Sequence, residues 1–152
     1  MPSLEPVLRE HPFFAGLDPG YLGVVTGCAR NRRFDGDQYL FREGEAANEF
    51  FLIREGRVVL EITAPGRDPI LVATLGPGEI VGASWLVPPY RWMFDARAME
   101  PVRALGIDAA CLRGKCDADH DLGYEMMKRF LPAFVKRLHG TRLQLLDVYG
   151  RS

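Results

Sequence analysis

Between residues 30 and 107 the chain is punctuated by turns at short, regular intervals, and this spacing limits the available folds more than any other feature. Asp35-Gly36-Asp37, Glu43-Gly44-Glu45, Glu55-Gly56, Ala64-Pro65-Gly66 and Gly76-Pro77-Gly78 each offer a glycine where a reversing chain needs positive φ. Between them lie short apolar or β-branched runs, namely 32–34, 39–42, 50–54, 57–63, 70–75, 92–99 and 102–107. Runs this short and evenly placed predict an antiparallel roll or sandwich.

Helical patterns flank this stretch. Asp18 stands before Pro19 and an apolar series through Tyr21, Leu22, Val24, Val25 and Cys28, which predicts a capped helix over about 18–29. Asp108 is placed to cap a short helix through Ala109, Leu112 and Lys115. A longer helix is predicted over about 122–148, where Met127, Leu131, Phe134, Leu138, Leu145 and Val148 fall near one stripe, with Thr141 as a weaker member. Pro132 removes a backbone donor inside this run and should kink or divide it, and Gly140 loosens it further. The expectation is a single domain over 1–152, mainly β, with the roll at about 30–107 and C-terminal helices at about 108–149.

Composition agrees with one core. The 152 residues are 47% hydrophobic, and a chain of this length buries about 70% of its unfolded surface without needing a metal or disulfides. Nineteen Lys and Arg against twenty Asp and Glu leave a net charge of −1, so no global positive field exists to hold nucleic acid or an anionic membrane. The N-terminus carries Glu5 early and reaches no long apolar run, which predicts a cytoplasmic protein with no membrane segment. Cys28, Cys111 and Cys116 are odd in number and sparse, and are expected to be reduced thiols.

Catalytic constellations are not found. His11, His120 and His139 are far apart, no HExxH occurs, and Cys111 and Cys116 fall on different sides of a helix, so no metal site or redox pair is expected. No nucleophile with a neighbouring base can be named, and the chain is expected not to be an enzyme.

The segment from Gly76 to Phe94 is the candidate site. Gly76-Pro77-Gly78-Glu79 and Gly82 lack both the lysine of a P-loop and the GxGxxG spacing of a dinucleotide fold. The next twelve residues, Ala83 to Phe94, gather two Trp, a Tyr, a Phe, an Arg and a diproline. Such a stretch is either a rigid loop that caps the core or a ligand cradle, in which amides near Ala83 and Ser84 hold an anion and aromatic rings hold a planar group.

Several motifs carry a family resemblance. Phe34-x-Gly36-x-x-Tyr39-Leu40-Phe41-x-Glu43-Gly44-Glu45 and Asn48-x-Phe50-Phe51-Leu52-Ile53-x-x-Gly56-x-Val58 resemble the opening strands of the cyclic nucleotide-binding domain, the effector domain of the catabolite activator and fumarate-nitrate regulator family. Leu75-Gly76-x-Gly78-Glu79-x-x-Gly82 resembles the entry to its phosphate-binding cassette, Ala96-Arg97-Ala98 the strand that leaves it, and Leu146 to Arg151 the end of its long dimerisation helix. The resemblance implies an eight-stranded jelly-roll, or double-stranded β-helix, with flanking N-terminal helices and a long C-terminal helix.

It also implies a ligand, and here the chain departs from the pattern. In cyclic nucleotide binders of this family, a Glu that holds the ribose would follow Gly82, and an Arg that pairs with the cyclic phosphate would stand ten positions after it; these places hold Ala83 and Trp92. Losing such an Arg removes about 1.5–3 kcal/mol per charge-assisted hydrogen bond. Arg91 is one residue away, which in a regular strand turns its side chain to the opposite face. The candidate ligand residues are therefore Gly82, Ala83, Ser84, Trp85, Arg91 and Trp92, in a cassette that is degenerate or re-purposed.

The function expected is non-enzymatic ligand sensing, with a cyclic nucleotide or another small anion as the possible ligand and no certain cofactor. One alternative is a true cyclic AMP or cyclic GMP receptor that relies on Arg91. Another is an interaction module whose C-terminal helix recruits a separate protein. The resemblance implies a homodimer through Met127, Leu131, Phe134, Leu138 and Leu145. Sequence-specific DNA binding is not expected without a helix-turn-helix module.

Overall fold

The computed structural model describes residues 3 to 150, with side chains described as far as residue 136. Eight strands form two four-stranded antiparallel sheets. One sheet runs β1 (Ala29–Phe34), β8 (Val102–Asp108), β3 (Glu49–Glu55), β6 (Ile80–Val81), and the other β2 (Tyr39–Phe41), β7 (Asp95–Ala98), β4 (Val58–Ile62), β5 (Ile70–Leu75). This is the antiparallel roll expected from the turn spacing, with the eight strands that the resemblance implies. At two residues, β6 is too short to show alternation, and it is the strand that the pattern does not single out. Gly56 carries the reversal between β3 and β4 with φ of +87°, and a Cβ there would run into the Pro101 carbonyl, so only glycine fits.

Phe50, Phe51, Leu52 and Ile53 are all buried, so β3 is covered on both faces. One face looks into the sandwich. The other is roofed by helices, including α1 (Glu5–Glu10), the 3-10 turn Pro12–Phe14, α2 (Pro19–Thr26), α3 (Ala109–Ala118) and α4 (His120–Gly150). The predicted caps are present: the Asp18 carboxylate accepts from the Gly20 amide at 2.8 Å and that of Asp108 from the Cys111 amide at 2.9 Å. The helix expected over 18–29 ends at Thr26, because the chain enters β1 at Ala29. No described helix is long and apolar enough to cross a membrane.

Two sequence expectations are corrected. Pro132 does not divide the long helix, which runs from His120 to Gly150 with the proline on its exposed side. Cys28 and Cys111 are joined by a disulfide, with Cα atoms 6.0 Å apart, and Cys116 alone remains a free, buried thiol among the three. The cause lies in strand pairing rather than helix spacing: Ala29 lies opposite Ile107 in the β1–β8 ladder, which brings the residue before β1 beside the start of α3. Burial, with Asp117 and Asp119 nearby, pushes the Cys116 thiol up to about 11.

The stripe of α4 that seats on the roll is Leu122, Met126 and Phe130, which are buried at steps of four. Phe130 packs edge-on against Phe13, Phe50 and Trp85, with ring centroids 4.8, 5.2 and 5.2 Å away. The neighbouring stripe read from the sequence points outward: Met127 is 57% and Leu131 60% exposed, and Phe134 is partly so at 39%. Leu138 and Leu145 lie outside the described side chains.

Candidate functional site

The Gly76–Gly82 stretch passes through β6 and then turns at Gly82, where φ is +96° and a Cβ would collide with the ring of Trp92. Trp92 thus lies directly over the turn. Its ring stacks on Phe41 with centroids 3.9 Å apart and planes 10° from parallel. A 3-10 turn, Ser84–Leu86, follows, and then a cis Pro88-Pro89 bond and Tyr90 with φ of +57°. Arg91 forms an isolated antiparallel bridge with Ala46, flanked by Ala47 N–H to the Tyr90 carbonyl at 2.7 Å and Trp92 N–H to the Glu45 carbonyl at 3.0 Å. Alternation along this stretch puts Trp92 inward and Arg91 outward, where Arg91 Nη1 donates to the Gly44 carbonyl at 2.9 Å.

Of the sequence-predicted residues, the fold gathers Gly82, Ala83, Ser84 and Trp92 on one wall of a cavity of about 490 Å³. Its opposite walls come from β4 and β5 through Leu60, Ile62, Ile70 and Leu71, and its edge from Phe134 of α4. Arg91 is not on that wall. Trp85 is not on it either; it is fully buried, stacked on Phe50 at 4.8 Å, with its carbonyl accepting from Arg113 Nη1 at 2.7 Å. Cassette and long helix therefore meet through Trp85 against Phe130, and Phe134 of the helix lines the same cavity as Gly82, Ala83, Ser84 and Trp92.

The electrostatics of the cavity are unusual for a family whose resemblance implies an anionic ligand. Among the described residues no charged side chain lines it, and Ser84 supplies the one side-chain oxygen. The charges of this half of the roll are spent elsewhere. Leu60 and Ile62 face the cavity, whereas Glu61 between them pairs with Arg97 at 2.8 Å, and Arg97 also reaches Asp37 at 2.8 Å. Burial pushes the Asp95 carboxyl up, but the Glu43 amide, the Thr63 hydroxyl and Arg42 together hold it below the usual carboxylate range.

The sequence pattern did not assign Phe41 or the β4 and β5 residues to a site, whereas Met93 and Phe94 fall within the predicted Gly76–Phe94 segment. Nor did it assign Phe134 to this wall, since its spacing placed it with the outward stripe. The alternation of Leu60, Glu61 and Ile62 is the signal that was available for the β4 wall.

The comparisons with known proteins agree with this architecture. The family model of the cyclic nucleotide-binding domain matches residues 31–119. Cyclic nucleotide-gated ion channel 18 of Arabidopsis thaliana is 28% identical over 143 residues, which are 91% of this chain and 19% of the channel. The CRP-like cAMP-activated global transcriptional regulator of Mycobacterium tuberculosis is 25% identical over 145 residues, or 95% of this chain and 63% of the regulator. The chain thus spans less than two thirds of either relative. A candidate cyclic nucleotide-binding protein from Geobacter metallireducens superposes with a TM-score of 0.81 at 32% identity, covering 91% of this chain and 100% of that one. A cyclic nucleotide-binding domain from Methylobacillus flagellatus superposes at 0.80 over 95% of this chain and 85% of its own; at 16% identity it speaks for the fold alone. With the strand order, the cassette turn at Gly82 and the matched span in agreement, the chain belongs to the cyclic nucleotide-binding domain family.

Proposed function

We propose that this domain is a non-enzymatic ligand sensor whose cassette does not take a cyclic nucleotide through the family's ribose and phosphate contacts, and that ligand in the cavity beside Gly82 biases the pose of α4. The observation that carries this reading is the cavity wall itself. It combines cassette residues with Phe134 of α4, and two of them, Ala83 and Trp92, stand at the sequence positions where the resemblance implies Glu and Arg. A phosphate entering it would lose hydration without a countercharge among the described lining residues. A ligand touching Phe134 would shift the helix only as far as it prefers one arrangement over the other.

A homodimer is part of the proposal. Met127 and Leu131 leave an apolar stripe on α4 that the roll does not cover, and a second copy of the same helix is the occupant that the family resemblance implies. Leu131→Glu should convert a two-chain mass in light scattering to one chain.

The test is thermal unfolding with cyclic AMP and cyclic GMP. A ligand at a hundred times its Kd adds about 2.7 kcal/mol, or a shift of about 5–10 °C for a domain of this size. No shift is expected for the natural chain, and the double variant Ala83→Glu/Trp92→Arg should gain one. A shift of that size in the natural chain, abolished by Arg91→Ala, would overturn the proposal in favour of a true receptor, the alternative to which the names of the relatives point.

A further inference from the structure

The cavity beside Gly82 has a chemistry of its own, and from it we infer the class of ligand: an uncharged, largely apolar small molecule, aromatic or aliphatic, with at most one hydrogen-bonding end directed to Ser84. This inference rests on the sensor function proposed above and adds the identity class of what is sensed.

The recess has a buried floor and an exposed apolar rim. Ala83 and Trp92 on the floor are 7% and 4% exposed, whereas Leu71 and Met93 at the mouth are 56% and 65% exposed. Ile62 and Ile70 extend the same rim. Contiguous exposed apolar surface is uncommon unless it serves binding, and a depth of this kind favours a small molecule over a flat protein contact. The volume of about 490 Å³ falls within the range of small-molecule sites, which is about 300–1,000 Å³.

Three features of the wall argue against an ion. The described lining residues carry no charge, the nearby Glu61 is on the other side of its strand and already paired with Arg97, and Arg91 is directed outward to the Gly44 carbonyl. An apolar guest asks for none of these groups. It gains from leaving water and from the polarisable faces of Trp92 and Phe94, and the Ser84 hydroxyl can meet a single polar end.

N-phenyl-1-naphthylamine, a neutral aromatic dye that brightens on leaving water, is a suitable probe for the full chain. Saturable enhancement is expected, with affinity at least tenfold weaker in Leu71→Glu and in Met93→Glu and unchanged in Met127→Glu. The rim residues are exposed, so these variants should melt where the natural chain does. Absence of saturable enhancement, unchanged affinity in both rim variants, or loss only in Met127→Glu would overturn the inference, the last because the dye would be reporting the outer stripe of α4. In each of those cases inert cyclic nucleotides would leave the proposed function standing. Displacement of the dye by cyclic AMP would overturn both.

Discussion

The two tryptophans of the cassette are seven residues apart and belong to different parts of the machine. Trp85 is rooted in the core, stacked on Phe50 and edge-on to Phe130 of α4, with its indole Nε1 lacking a hydrogen-bond partner among the described residues. Trp92 stacks on Phe41, covers the Gly82 turn and has the cavity on its other side. An identical side chain thus fastens the cassette to the helix in one place and lines the cavity in the other. What separates them is that Trp92 borders the cavity and Trp85 does not.

This contrast is most directly broken by truncation. Trp85→Ala should lower unfolding free energy in urea by about 3–5 kcal/mol, and Trp92→Ala by less, because Trp92 borders the cavity whereas Trp85 is packed among Phe50 and Phe130. Equal losses would mean that the cavity side is as closely packed as the core side. A smaller effect is expected for Arg113→Ala, which removes the donor to the Trp85 carbonyl and the guanidinium 4.1 Å from the Tyr90 ring centroid. It should cost about 1–3 kcal/mol in the same assay and leave dye binding at the cavity unchanged.

The smallest effect concerns pH and sharpens the comparison, since it should touch one tryptophan only. His11 is buried, with Nε2 3.1 Å from the Ile53 carbonyl and Nδ1 accepting from the Phe13 amide at 3.2 Å. Burial holds its pKa below the ordinary value, with Arg54 adding to that and the Ile53 hydrogen bond opposing it. The unfolded chain therefore binds this proton first: stability is full above a pH of about 6.5 and falls as pH drops from there towards the folded pKa. A proton on Nδ1 would break the Phe13 contact, and Phe13 packs on Phe130, which touches Trp85. Emission should respond in Trp92→Phe, which retains Trp85, and stay flat in Trp85→Phe. His11→Gln should remove the slope.

Much of the roll was legible because its signals are local. Glycine turns, strand alternation and the caps at Asp18 and Asp108 are each set by a few consecutive residues, and the predicted elements lie close to the observed ones. The cavity was only half legible. Gly82, Ala83, Ser84 and Trp92 are neighbours in sequence, but Leu60, Leu71 and Phe134 reach the same space only through sheet order and helix docking. Which stripe of α4 would turn inward was also beyond the pattern, because Met126 and Phe130 follow the same spacing as Met127 and Leu131, and the decision is made by what the roll presents. The Cys28–Cys111 pairing was hidden for a similar reason, being a product of the β1–β8 register.

That pairing changes the topology of the molecule. Cys28 immediately precedes β1 and Cys111 lies just beyond β8, so all eight strands sit within one covalent ring that closes over a separation of 83 residues, and α1, α2 and α4 hang from it as tails. Proteolytic nicking of the Ala64–Arg67 turn would open the ring without releasing either piece, and the chain would keep its full mass on a gel until a reductant separated it in two.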